Sequence, residues 1–124
     1  MNDMKMSGAE LKVRLTGLGL TPNWLADHIG VSVRTVHRWC NEPVAPYAAA
    51  AAVWMISQRS DEELGRLIEQ AHTTGVIYTQ RTDRNIPPDL QQAALNLPAT
   101  WHRAVAFRAL EHARRAGLTV TVSH

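Results

Sequence analysis

One glycine, Gly30, sets the tightest limit on what this chain can fold into. It closes an apolar run carrying Leu25, Ala26 and Ile29, and after Val31-Ser32 a second run places Val36, Trp39 and Cys40 at helical spacing. Upstream, Thr21 has an N-cap side chain and Pro22 suits the first position of a helix. Glycine accepts a positive φ without a steric cost, which makes Gly30 a natural helix stop. Ser32 is again an N-cap residue. The spacing therefore predicts a helix from Pro22 to Ile29, a tight turn, and a second helix over about Val33 to Asn41. Helices this short are marginal alone and must be plugged into a domain.

The flanks supply that domain. Ser7 and Glu10 have the S-x-x-E spacing of a capping box, and a helix from about Gly8 to Leu18 would turn Leu11, Leu15 and Leu18 inward. E-P-V-A-P (42–46) reads as a loop. An alanine-rich helix follows from about Pro46 to Gln58, with Trp54, Met55 and Ile56 assigned to the core. Ser60 and Glu63 repeat the capping-box spacing and predict a separate helix over about Asp61 to His72, with Leu64, Leu67 and Ile68 inward. T-T-G (73–75) is a breaker and V-I-Y-T (76–79) is rich in strand formers. R-T-D-R-N-I-P-P (81–88) reads as turn and loop, and Pro88 to Leu95 as a short helix. Leu97-Pro98 leads into a long helix from about Ala99 to Ala116, with Val105, Leu110 and Ala113 among its inner positions, closed by Gly117. L-T-V-T-V (118–122) alternates as a half-buried strand does. Two isolated strands are marginal, so these must pair with each other over a helix or across a dimer.

Composition excludes several classes. The 124 residues are 45% hydrophobic and 19% charged, which suits a globular chain. The most apolar stretch, Ala48 to Ile56, is too short to span a bilayer. The first residues, MNDMKMSG, hold one lysine and no apolar block, so no secretory signal is expected and a cytoplasmic location is the default. The lone Cys40 cannot form an internal disulfide. The six histidines form no H-x-x-x-H pair, and no nucleophile elbow, phosphate loop or dinucleotide fingerprint occurs. Neither an enzyme, a metal site nor a cofactor is expected. The formal charge of +2 demands no polyanionic partner. Local charge says more: between Gly30 and Asn41 lie two arginines, one histidine and no acid.

That pattern has a structural logic. In a helix-turn-helix, two short helices meet steeply around a tight turn, so a small residue is needed where they approach. Ala26 meets this need, and Leu25, Ile29, Val31, Val36 and Trp39 plug the pair into the domain. P-N-W-L-A-D-H-I-G-V-S-V-R-T-V-H-R-W resembles the helix-turn-helix of the lambda-repressor/Cro/XRE superfamily in its alanine, its glycine, the V-S that follows and the closing tryptophan. At about 100° per residue, Val36, Trp39 and Cys40 share one side of the second helix, while Arg34, Arg38 and Asn41 share the other with His37 at its edge. Arginine donates two parallel hydrogen bonds to guanine in the major groove. Arg34 and Arg38 are thus the base-reading candidates, and His37 reads a base or a phosphate. Val33 stands where the resemblance implies contact with bases. Asn23, Ser32, Thr35 and Asn41 are the phosphate candidates, with Lys12 and Arg14 against the flanking backbone. The competing reading of Arg34 and Arg38 is a plain solvated helix face.

In the second half, V-I-Y-T-Q-R-T-D, L-P-A-T-W-H-R-A-V-A-F-R-A and the closing L-T-V-T-V resemble, in layout and a few residues, small bacterial and phage autorepressors of the anti-CRISPR-associated type. These pair an N-terminal helix-turn-helix with a C-terminal dimerisation domain. The fold class expected is mainly α, with a four- to five-helix DNA-binding domain over 1–58. An α+β dimerisation domain with two short strands would follow over 59–124. Trp101, Phe107, Val120 and Val122 are the candidate interface residues, against an ordinary core role for the two aromatics. The function expected is a homodimeric, sequence-specific repressor on an inverted repeat of double-stranded DNA. The alternative is an antitoxin-like interaction protein whose C-terminal half binds a partner protein and whose DNA binding serves autoregulation.

Overall fold

The computed structural model describes residues 5–80 and 97–124. Those residues are mainly helical, with five helices and one two-stranded sheet among them. The chain divides into two compact units, residues 1–58 and 59–124.

The first unit opens with α1, Gly8–Gly17. Ser7 caps it, its hydroxyl accepting from the Glu10 N–H at 3.0 Å. The Glu10 carboxylate does not return to the cap; it binds Arg14 one turn on at 2.7 Å. Leu11 and Leu15 are buried, and Leu18 and Leu20 close the same apolar side. α2, Pro22–Ile29, starts at Thr21, whose hydroxyl accepts from the Trp24 N–H at 3.1 Å. It stops at Gly30, which has φ 86° and ψ 36°. The N–H groups of Gly30 and Val31 both donate to the Ala26 carbonyl, at 2.8 and 2.9 Å. α3, Val33–Trp39, follows from Ser32. Leu25, Ala26 and Val36 are buried, while Ile29 and Trp39 are only half-buried. After α3 the chain is tied to the start of α1: Gly8 N–H donates to the Glu42 carbonyl at 2.9 Å, and Ala45 N–H to the Met6 carbonyl at 2.8 Å.

The next element departs from the sequence expectation. One helix, α4, runs from Tyr47 to Thr74, where two were expected. Residues 57–61 contain no glycine or proline, so nothing in the backbone stops the helix. Ser60 and Glu63, expected as a cap, are buried mid-helix and bonded elsewhere. The core assignment near Trp54 also changes. Ala49, Ala50, Val53 and Ile56 are buried, whereas Trp54 and Met55 are exposed. The buried set is spaced i, i+1, i+4 and i+7, one stripe of the helix, and Trp54 and Met55 fall on the other side of it.

In the second unit, β1 (Val76–Tyr78) pairs with β2 (Thr121–Ser123) in parallel, with Val76 opposite Thr121, Ile77 opposite Val122 and Tyr78 opposite Ser123. Between them lies α5, Ala99–Arg115. α5 packs on β1, so the strands pair with each other over a helix. Trp101, His102, Val105, Ala106, Ala109 and Ala113 form its buried face. The L-T-V-T-V strand shortens to Thr121–Ser123, and all three of its residues are exposed. Its alternation begins with Val120, which is buried before the strand starts. Two of the four candidate interface residues are corrected here. Trp101 and Val120 lie inside the unit, at 0% and 4% exposure, and have no surface to offer a partner. Phe107 and Val122 are exposed. The loop assigned to 81–88 and the helix assigned to Pro88–Leu95 fall outside the described residues.

Candidate nucleic-acid interface

The site is assembled from local capping. The Ser32 hydroxyl accepts from the Thr35 N–H at 3.2 Å and bonds the Thr35 hydroxyl at 2.9 Å, which starts α3. At the other end, Asn41 Nδ2 donates to the His37 carbonyl at 3.0 Å and closes it. Val36, fully buried, anchors the inner side. With that side and both ends fixed, the outer side holds Val33, Arg34, His37 and Arg38, all exposed. The four base-reading candidates therefore sit together on one face.

What distinguishes this face is its charge state. Most other arginines of the described helices lean on a neighbour: Arg14 on Glu10, Arg66 on Glu63, Arg108 on Asp61, Arg115 on Glu111. Among the described residues, neither Arg34 nor Arg38 has an ion pair or a side-chain hydrogen bond. Both guanidinium groups stay free to donate.

The phosphate candidates divide. Asn23, on the first turn of α2, is exposed and its side chain makes no hydrogen bond among the described residues. Ser32, Thr35 and Asn41 are already engaged in capping α3, so their first task is to hold the helix. Lys12 is exposed on α1, and Arg14 is held by Glu10.

Two features escaped the sequence reading. Trp24 stacks on His28 one turn along α2, with ring centroids 4.8 Å apart and planes 12° from parallel. The W-x-x-x-H spacing is its signal. Gly8 is the second. A Cβ there would meet the Trp39 carbonyl oxygen, and would lie 2.6 Å from the Cys40 carbonyl carbon. The missing side chain lets α1 touch the end of α3, and a bare glycine after an N-cap serine does not announce that role. Cys40 beside it is half-buried; burial pushes its thiol up, with the Lys12 charge pulling the other way. A raised pKa leaves little thiolate, so Cys40 behaves as a small apolar filler.

A second polar cluster lies in the other unit and is internal. Trp101 Nε1 donates to the Ser60 hydroxyl at 2.7 Å. His102, fully buried, meets Glu63 Oε2 at 2.7 Å through Nε2 and the Thr79 hydroxyl at 2.9 Å through Nδ1. Arg66 grips the same carboxylate at 2.6 and 2.9 Å. Burial raises the Glu63 pKa, but the hydrogen bonds and charges of Arg66 and His102 outweigh it and bring the carboxyl down to about 2. An ionised carboxylate only accepts, so Nε2 of His102 carries the proton. The His102 ring is fully buried, and this network binds α4 to α5.

No helix among the described residues is long and apolar enough to cross a membrane. No known family, curated protein or solved structure matches the chain.

Proposed function

We propose that the chain is a sequence-specific DNA-binding regulator that inserts α3 into the major groove. The carrying observation is the pair of unpaired arginines, Arg34 and Arg38, on the outer face of a helix whose inner face and both ends are fixed. Val33 extends that face toward a thymine methyl and His37 toward a base edge or phosphate. Asn23 is the best placed of the phosphate contacts. The likeness of residues 22–39 to the lambda-repressor/Cro/XRE motif supports the same reading. One short helix covers few base pairs. The working form is therefore a homodimer reading an inverted repeat with half-sites about 34 Å, one DNA turn, apart. Bound over a promoter, such a dimer represses by occluding polymerase.

The test is fluorescence anisotropy with double-stranded DNA taken from upstream of the gene, against a scrambled duplex. Each good bidentate arginine–guanine pair carries about 1–3 kcal/mol of discrimination, so R34A and R38A together should erase the preference for the upstream sequence. Selective binding left unchanged in the double variant would overturn the assignment of α3.

A further inference from the structure

The two edges of the small sheet are not equivalent. In a parallel ladder, alternate residues of a strand bond to a given neighbour. Thr121 N–H donates to the Gly75 carbonyl at 3.1 Å, and the Ser123 carbonyl accepts from the Thr79 N–H at 2.9 Å. Thr121 and Ser123 therefore face β1, and the N–H and C=O of Val122 face the other way. They find no partner among the described residues. The outer edge of β1 is closed instead. The Val76 N–H is taken by the Thr74 hydroxyl at 3.1 Å, and the Tyr78 N–H by Gln70 Oε1 at 3.0 Å.

The open edge is also the apolar one. Val122 stands opposite Ile77, on the side of the sheet that meets α5. Ile77 is fully buried, but Val122 overhangs and is 43% exposed. Beyond it lies a groove of about 350 Å³ lined by Thr79, Ala106, Phe107, Leu110 and Val122 together with Arg103 and His124. Phe107 is 62% exposed. Among the described residues, the two-stranded sheet leaves this flank of α5 uncovered, and a third strand, about 4.8 Å further out, would lie over it. Natural edges are usually blunted by a lysine, a proline or a bulge; Thr-Val-Ser has none of these.

We infer that β2 is the strand through which two copies of this chain associate. The edges pair antiparallel about a two-fold axis at Val122 and form a continuous sheet in the order β1-β2-β2-β1. This deepens the homodimeric reading above and rests on it. A second copy fits because the edge is self-complementary. A residue on the axis of an antiparallel pair exchanges both its N–H and its C=O with its own mate, and those are the two groups Val122 leaves open. The same step carries the mate's strand over Phe107.

Disulfide trapping in the full chain tests it, with Cys40 replaced by C40S. Mates in a hydrogen-bonded antiparallel pair have Cα atoms about 5.5 Å apart, within reach of a disulfide. V122C should cross-link under mild oxidation about tenfold faster than Y78C, whose mates would lie three strand spacings apart, roughly 14 Å. F107E should weaken the dimer about tenfold or more by light scattering, with far-ultraviolet circular dichroism confirming the fold. A dimer whose V122C variant cross-links no faster than Y78C, or which F107E leaves intact, overturns the edge and leaves the homodimer standing. A wild-type chain that stays monomeric at high micromolar concentration overturns both. DNA selectivity, measured separately, reports on α3 in either case.

Discussion

Gly8 sits on the first turn of α1, where an added Cβ would run into the Trp39 and Cys40 backbone. G8A raises helix propensity yet forces that backbone aside. Overpacking costs about 1–3 kcal/mol, more than alanine returns in propensity. The expected outcome is a lower urea midpoint for the first unit, followed by tryptophan fluorescence; a neutral or stabilised variant would show that the contact gives way freely. Glu63 makes a second claim at this scale. Its carboxyl stands at about 2 in the fold against an ordinary 4.5. A depressed pKa contributes stability that is complete above about 4.5 and is lost as pH falls toward 2, on the order of 3 kcal/mol. Urea midpoints at pH 3 and pH 6 should diverge in wild type and converge in E63Q, which should already be weakened at pH 6. The signals for these residues differ in kind. Thr21, Gly30 and Ser32 were legible because a cap is made with residues one turn away. Gly8 and Glu63 were not, because their partners lie far along the chain.

At the scale of elements, the two S-x-x-E patterns make the contrast sharpest. Ser7 and Glu10 start a helix, with the serine half of the box formed. Ser60 and Glu63 are carried through the middle of α4, and their partners Trp101 and His102 stand 41 and 39 residues away. A local pattern cannot distinguish a cap from a buried hydrogen-bond pair when the deciding groups are that distant. S60A tests the difference. Helix content at 222 nm should stay constant, since no cap is lost. Stability should fall by about 1–3 kcal/mol, because Trp101 Nε1 is left buried without an acceptor. A drop in helicity at Ser60 with unchanged stability would restore the cap. The strands show the same divide. Their strand-forming residues were readable, but their parallel pairing depends on α5 returning the chain to the same edge.

For the whole molecule, the net charge of +2 is too small to drive DNA binding. Affinity would come from where the free cations sit, and each neutralised phosphate steepens the salt dependence. A dimer contacting several phosphates should lose about a hundredfold or more in affinity between roughly 50 and 200 mM salt. Anisotropy titrations across that range check it, and a flat dependence would point to a protein partner. The sequence by itself determined the short helices, their caps, the turn at Gly30 and the face carrying Arg34, His37 and Arg38. Each of these depends on groups within about one helical turn of each other. Only the tertiary structure decided that α4 continues through Ser60, that Trp101 and Val120 are interior, and that, among the described residues, Val122 leaves its outward N–H and C=O without a partner. Those outcomes depend on which distant side chains meet, and a packed interior fills its polar and apolar needs from any part of the chain.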